Sequence, residues 1–369
     1  MRYVFVGGNF DNAGGRPSSL AAALHRGVAD VLGAEGIFIN GGGLEKLQEA
    51  SAAARTLGIA VIWIANVPND APKTTVREIK AQNKTCLLVT SKRVVEKNYD
   101  LAQIIQHALH LKSNLVVVFT KQDSRYRARL YDPLGNLFYE SMDFTDMGRA
   151  IGNRLKFLAT VLRIGTERIE GAVPPVPEET GFFDYIRTAA QQFSGLLPVP
   201  KIVERFVGNA AFRCSHGFPA FRDGDIAFIS RRNIDKASIG ADGFVPVILT
   251  PGSGPKTVYK YFGEHKPSVD TPIQAHLFAT YPRIKYLIHG HVYVAGADFI
   301  DTLWPCGAYQ EAGDIAEKIW DGHGPENVTR FVLNLKGHGF IAGADDYRYF
   351  ESLKFVARPF PEPYIETKL

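Results

Sequence analysis

The chain has 369 residues, of which 46% are hydrophobic and 22% charged, and carries a net charge of +4. That length exceeds one ordinary domain and that composition excludes wholesale disorder, so two domains with their own cores are expected. Residues 1–170 hold 22 Lys and Arg against 16 Asp and Glu, yet no basic tract is interleaved with aromatics, which leaves a small molecule as the expected partner and excludes nucleic acid.

In chain order, the runs Tyr3–Gly8, Gly36–Asn40, Ala60–Val67, Thr85–Thr90 and Asn114–Thr120 read as strands. Between them, Ser18–Leu32, Leu44–Leu57 and Asp100–Leu111 carry apolar residues at helical spacing, the last behind an Asp cap. This alternation predicts a doubly wound parallel sheet of Rossmann-like or flavodoxin-like type. The segment Tyr126–Glu140 reads as a hairpin around residues 132–136, and a helix over Asp146–Leu162 closes a first domain set at 1–170.

The longest apolar runs fall far below the roughly 20 residues of a membrane span, and the opening residues begin a strand pattern. No membrane partner is expected and the default address is the cytoplasm. Cys86, Cys214 and Cys306 are odd in number and widely scattered, which favours free thiols over a disulfide framework.

The first strand exits through Gly7, Gly8, Asn9, Gly14, Gly15, Arg16, Ser18 and Ser19, and the second through Asn40-Gly41-Gly42-Gly43. Loops at this end of a doubly wound sheet let backbone N–H groups approach an anion, so a nucleotide or sugar-phosphate ligand is a natural expectation here. Neither loop matches a dinucleotide or Walker pattern, and the serines serve equally well as helix caps. His107 and His110 share a helix face, where unligated surface histidines are the ordinary reading.

Residues 171–181 contain Pro174, Pro175 and Pro177 and read as an extended connector to a second domain over 182–369. A helix is expected over Phe182–Phe193, then short strands and turns, with helices at Thr271–Ala279 and Glu311–Trp320.

The run Tyr286–Val294 is rich in β-formers and contains His289-Gly290-His291. On a strand, residues i and i+2 share a face, so both imidazoles reach one divalent cation, while Gly290 leaves the opposite face free for close packing. The third ligand expected is His338, which follows a second strand-like run and is flanked by Gly337 and Gly339. Upstream stands Lys266-Pro267-Ser268-Val269-Asp270-Thr271-Pro272, in which Asp270 reads either as a helix N-cap or as a catalytic carboxylate.

This order of a Pro-Ser turn with an acid, a helix, an H-x-H strand and a later His beside glycine resembles the class II aldolase/adducin family over residues 193–346. The resemblance implies an αβα fold around a mostly antiparallel sheet, Zn2+ or another divalent cation on His289, His291 and His338, and a cyclic homotetramer. It further implies a lyase or epimerase acting on a small polyhydroxylated carbonyl compound, a sugar or sugar phosphate, through a metal-stabilised enediolate. Asp270 would be the acid/base, and its Asp identity is closer to the 4-epimerase branch. Tyr309, after Pro305, looks like the aldolases' proton donor, with Glu311 and Asp314 nearby. Asn209, Ser230 and Ser268 match substrate-binding positions. Gly208-Asn209-Ala210-Ala211 lacks the serine of the family's phosphate turn, which puts the phosphate in doubt. Arg213, Arg231 and Arg232 are the available charges. A dehydratase or decarboxylase uses the same chemistry, and the adducin branch keeps the fold as a binding scaffold without catalysis.

Overall fold

The apolar runs near the N-terminus form strands of a parallel sheet in the computed structural model of the chain, with Val4, Phe5, Val6 and Val116–Val118 fully buried, as expected where helices cover both faces. The structure describes residues 2–10, 15–33, 35–57, 60–66, 78, 87–95, 99–122, 125–161, 166–197, 208–213, 226–249, 257–320 and 324–363. Gly14, Cys86 and Cys214 lie outside them, as does the side chain of Asn9. The chain divides into two units, Met1–Leu158 with Pro359–Leu369, and Ala159–Arg358.

The first unit runs β1 (Tyr3–Phe10), α1 (Ser19–Leu32), β2 (Gly36–Gly42), α2 (Leu44–Leu57), β3 (Ala60–Asn66), β4 (Leu87–Val95), α3 (Leu101–His110), β5 (Leu115–Gln122), β6 (Arg125–Tyr131), β7 (Asn136–Ser141) and α4 (Phe144–Val161). Its sheet has the order Glu362–Pro363, β7, β6, β5, β4, β3, β1, β2. Strands β1 to β5 are parallel, and β6 and β7 form the expected antiparallel hairpin. With β1 between β2 and β3, the direction of winding reverses beside Gly7 and Gly8, the place where doubly wound sheets seat ligands.

Ser18 caps α1 by accepting from the Ala21 N–H at 3.3 Å, and Asp100 caps α3 by accepting from the N–H groups of Ala102 and Gln103. Helices α1 and α4 meet backbone to backbone. A Cβ added to Gly27 would lie 1.9 Å from the Thr145 carbonyl oxygen, and one on Gly148 would lie 2.2 Å from that of Leu24.

The second unit contains β8 (Thr166–Ile169), α5 (Thr180–Leu196), β9 (Asn209–Arg213), β10 (Ile226–Ser230), β11 (Phe244–Ile248), β12 (Tyr259–Phe262), α6 (Thr271–Thr280), β13 (Tyr286–Gly290), β14 (Tyr293–Val294), β15 (Asp298–Ile300), α7 (Tyr309–Ile319), β16 (Arg330–Leu335) and β17 (Gly339–Ala344). Its main sheet has the order β15, β16, β17, β13, β9, β10, β11, β12, β8, mostly antiparallel, with parallel pairs at the two edges. Phe182, Phe183, Ile186 and Phe193 of α5 pack with Phe212, Phe228 and Ile288 in one core. Ile273, Leu277 and Phe278 of α6 and Ile315 of α7 pack with Ala211, Ile229 and Leu287 in another. Because strand residues alternate between these two cores, the helices cover opposite faces and the unit is an αβα sandwich.

Three expectations are corrected. The division falls at 158/159 and not within 171–181, because β8 pairs in parallel with β12. The tail does not stay with the second unit: Glu362 and Pro363 pair with Asn136 and Leu137 of β7. The histidine strand stops at Gly290 and His291 stands in the following bend; the chain resumes as β14, which pairs with Phe355 and Val356, and Asn334 bonds both the N–H and the carbonyl of Val294. Among the described residues, no helix is long and apolar enough to cross a membrane.

Candidate metal centre

Along β13, Leu287 belongs to the core beneath α6 and α7 and Ile288 to the opposite core, so His289 points toward α6 and α7. Gly290 is pressed against Phe193 and Phe340, where an added Cβ would come within 2.8 and 2.9 Å of their rings. The chain turns between β16 and β17 through Gly337 (φ +70°) and Gly339 (φ +149°), a route open to glycine, and His338 between them is delivered to the same place. The ring centroids of His289, His291 and His338 lie 5.1, 4.6 and 5.3 Å apart, pair by pair, and one donor atom from each lies within 4.8 Å of the others. Among the described residues this is the cluster of three or more donors able to hold a metal ion. The three expected ligands are therefore brought together.

Hydrogen bonding sets the tautomers. His289 Nδ1 donates to the Phe340 carbonyl at 2.7 Å, leaving its buried Nε2 without a partner. His338 Nδ1 contacts both oxygens of Glu311 at 3.0 and 3.1 Å, and its Nε2 is likewise unpartnered. His291 Nδ1 is a third buried nitrogen with no partner. The orphaned nitrogens of His289 and His291 are costly unless something accepts their lone pairs, and a divalent ion such as zinc would do so, taking His338 Nε2 as the third donor in place of its proton. Burial lowers His289 to about 4 and His291 well below its ordinary value, so both are neutral ligands at pH 7. Burial acts the same way on His338, but the Glu311 carboxylate overcomes it and raises the ring well above its usual range.

Asp270 stands at the N-terminus of α6 but does not cap it. Its Oδ2 accepts from Asn209 Nδ2 at 2.7 Å, and its buried Oδ1 has no partner. Asn209 Oδ1 in turn accepts from Gln274. Ser268 Oγ accepts from the Asp270 N–H at 3.3 Å, the Ser268 N–H donates to the Ser230 carbonyl at 3.0 Å, and Ser230 Oγ accepts from the Ala210 N–H at 3.2 Å. The residues expected to bind substrate thus surround Asp270, and the first-turn Pro272 is as expected.

Tyr309 is placed differently: its hydroxyl lies 3.1 Å from Nδ1 of His276 on α6. Asp314 accepts from the Trp304 indole at 2.7 Å. Arg213 donates to the carbonyls of Phe278 and Tyr281 and so ties down the end of α6, Arg231 donates to the Asp242 carbonyl, and Arg232 to that of Pro267. In the first unit, Asn40 clasps the backbone of Ser18 in both directions, and Arg93 donates to Ser18 Oγ at 3.2 Å. Gly15 bridges Gly42, so the two glycine loops meet.

Sequence reasoning left the role of Glu311 open, and the signal available was an acid two residues into a helix that begins at Tyr309. It missed Lys236 and Arg358 altogether. Both are buried, Arg358 donates to the His338 carbonyl at 3.2 Å, and neither sits in a periodic pattern that marks burial.

The chain matches no family model and no curated protein. Solved structures similar in fold include YgbL from Escherichia coli (14% identity, 46% of this chain and 80% of that one, TM-score 0.30) and an L-fuculose 1-phosphate aldolase (14%, 47% and 81%, TM-score 0.30). The N-terminal class II aldolase domain of a conserved protein from Thermoplasma acidophilum also matches (13%, 49% and 88%, TM-score 0.31). A further similarity is to the DNA/pantothenate metabolism flavoprotein from Streptococcus pneumoniae (9%, 43% and 99%, TM-score 0.32).

Proposed function

We propose that the second unit is a metal-dependent lyase or epimerase acting on a small polyhydroxylated carbonyl compound. The observation that carries this reading is the set of three unpartnered ring nitrogens of His289, His291 and His338, with Asp270, whose buried Oδ1 is also unpartnered, bonded to Asn209, the strand partner of His289. A divalent ion held by these histidines would act as a Lewis acid, polarising a substrate carbonyl. The remaining work falls to the chain. Asn209 fixes the Asp270 carboxylate, and Ser268 the backbone that carries it, so that Oδ1 takes a proton from, or returns it to, the carbon next to that carbonyl. Glu311 holds the proton on His338 Nδ1 and keeps Nε2 free. Tyr309, hydrogen-bonded to His276, is the proton donor of this proposal. Assembly as a homotetramer and a cytoplasmic address belong to the same reading.

The test is elemental analysis of the purified chain followed by product analysis on a panel of sugar phosphates, free sugars and sugar acids. About one divalent ion per chain with cleavage, epimerisation or loss of CO2 supports the proposal. A chain without metal that leaves every substrate unchanged fits the adducin-like scaffold. In the first unit we propose a nucleotide or phosphate ligand at Gly7, Gly8, Asn9, Gly14, Gly15, Arg16 and Ser18. The clasp of Asn40 and Arg93 on Ser18 supports it, and thermal-shift measurements on the full chain with nucleotides and phosphate test it.

A further inference from the structure

Asp270, Asn209 and Gln274 form a chain of polar side chains that are 6%, 5% and 1% exposed. Gln274 stands one turn into α6 from Asp270, and its N–H donates to the Asp270 carbonyl at 3.1 Å. The two side chains hold opposite ends of one amide: Asn209 Nδ2 donates to Asp270 Oδ2 at 2.7 Å, and Asn209 Oδ1 accepts from Gln274 Nε2. Asn209 itself is fixed on β9 opposite His289.

The direction of this chain follows from its first member. A carboxylate offers only acceptors, so Asn209 presents its NH2 to Asp270 and its oxygen to Gln274, which must answer with its own NH2. The cost falls on Gln274 Oε1, which is buried with no partner. A methionine would fill that space without stranding an oxygen, so packing does not account for the glutamine. Turning both amides over would instead strand Gln274 Nε2 with its two N–H groups, and unpaired buried donors are rarer in folded chains than unpaired oxygens.

The consequence concerns the proton that Asp270 exchanges. In the reaction proposed above, a C–H bond of the ligand breaks, its electron pair stays on the ligand and the proton passes to Asp270; on return the O–H bond breaks and the C–H bond forms. From Oδ1, which has no partner in the chain, the proton remains available for that return. On Oδ2 it would be spent on Asn209, but only if the amide turned its oxygen toward it. That turn breaks the bond from Gln274 and sets two NH2 groups against each other.

We infer that Gln274 is a positioning residue for Asp270: by donating to Asn209 Oδ1 it bars rotation of that amide and confines the exchangeable proton to Asp270 Oδ1. This rests on the reading of Asp270 as the acid/base and adds a residue to it.

The first arm of the test needs no substrate. It follows the Asn209 side-chain amide by NMR in the full chain, isotopically labelled at its asparagines, the signals being identified by their loss in N209A. In wild type one amide proton is expected downfield, donated to the carboxylate, and both to exchange slowly with solvent. In Q274M the downfield shift is expected to shrink and exchange to quicken at least about 10-fold, while Tm and metal content match wild type. The second arm uses the panel compound that wild type converts. There Q274M is expected to lower kcat about 10- to 100-fold with KM within about 2-fold, and the double variant Q274M/N209A to be no slower than N209A. An Asn209 amide unchanged in Q274M overturns the inference, as do additive losses in the double variant. If Q274M does not fold, Q274L reads the same contrast. A wild-type chain that converts no compound sinks the acid/base reading itself, whereas an active chain in which Q274M keeps the wild-type kcat sinks only this inference.

Discussion

The carboxylate of Glu311 and the Nδ1 of His338 meet at 3.0 and 3.1 Å with both side chains 1% exposed. Such a bond fixes the tautomer and orientation of a ligating imidazole and strengthens it as a donor. Replacing Glu311 by Gln keeps the volume and removes the charge. E311Q is expected to lower metal affinity about 10- to 100-fold without unfolding the chain, as read by competition with a chromogenic chelator. Equal retention by E311Q and wild type would assign Glu311 to packing alone.

Asp270 combines an anchored oxygen with a free one. D270N preserves the shape but cannot accept a proton at that position. Its turnover is expected to fall by about 10^2- to 10^4-fold while its metal content matches wild type. A loss of metal together with activity would show that Asp270 supports the histidines and not the reaction.

Lys236 gives a pH signature that needs no substrate. Burial lowers its ammonium from an ordinary 10.5 to about 8, against the opposing pull of Asp270 and Asp235. Between those two pH values the unfolded chain binds more protons than the folded one, so the stability contributed by this residue rises with pH and is lost as pH falls through 8. Relative to K236M, wild type is expected to gain up to ~3 kcal/mol from pH 8 to 10.5 in denaturant titrations, and K236M to be the more stable of the two near pH 7 without ligand. Parallel stability profiles for the two chains would mean that the folded lysine is solvated.

At the crossing of α1 and α4, neither Gly27 nor Gly148 has room for a methyl group, because each would strike a carbonyl of the opposite helix. Gly27→Ala is expected to cost the first unit about 1–3 kcal/mol through forced separation of the helices. Calorimetry should show a lower Tm for the first-unit transition and an unchanged one for the second. A shift in both would indicate that the two units melt together.

Much of this architecture could be read from local pattern. Leu44–Leu57 is a helix with the bounds its spacing predicts, Asp100 caps α3, and the hairpin turns at residues 132–136. The histidines were legible because two stand two apart in a β-forming run and the third stands between glycines. What remained hidden depends on contacts distant along the chain. A carboxylate before a helix looks the same whether it caps the helix or, like Asp270, turns aside to Asn209. A lysine among polar neighbours gives no sign that folding will bury it. The edge pairing of β8 with β12 spans about ninety residues, and no periodicity within either strand announces it.

The pairing of Glu362 and Pro363 with β7 makes the first unit discontinuous along the chain, its sheet being finished only after the whole second unit has been made. A fragment cut after residue 158 would therefore leave the Asn136–Leu137 edge bare and open to pairing with another molecule. During synthesis the front sheet waits, one margin unsealed, until Glu362 and Pro363 emerge.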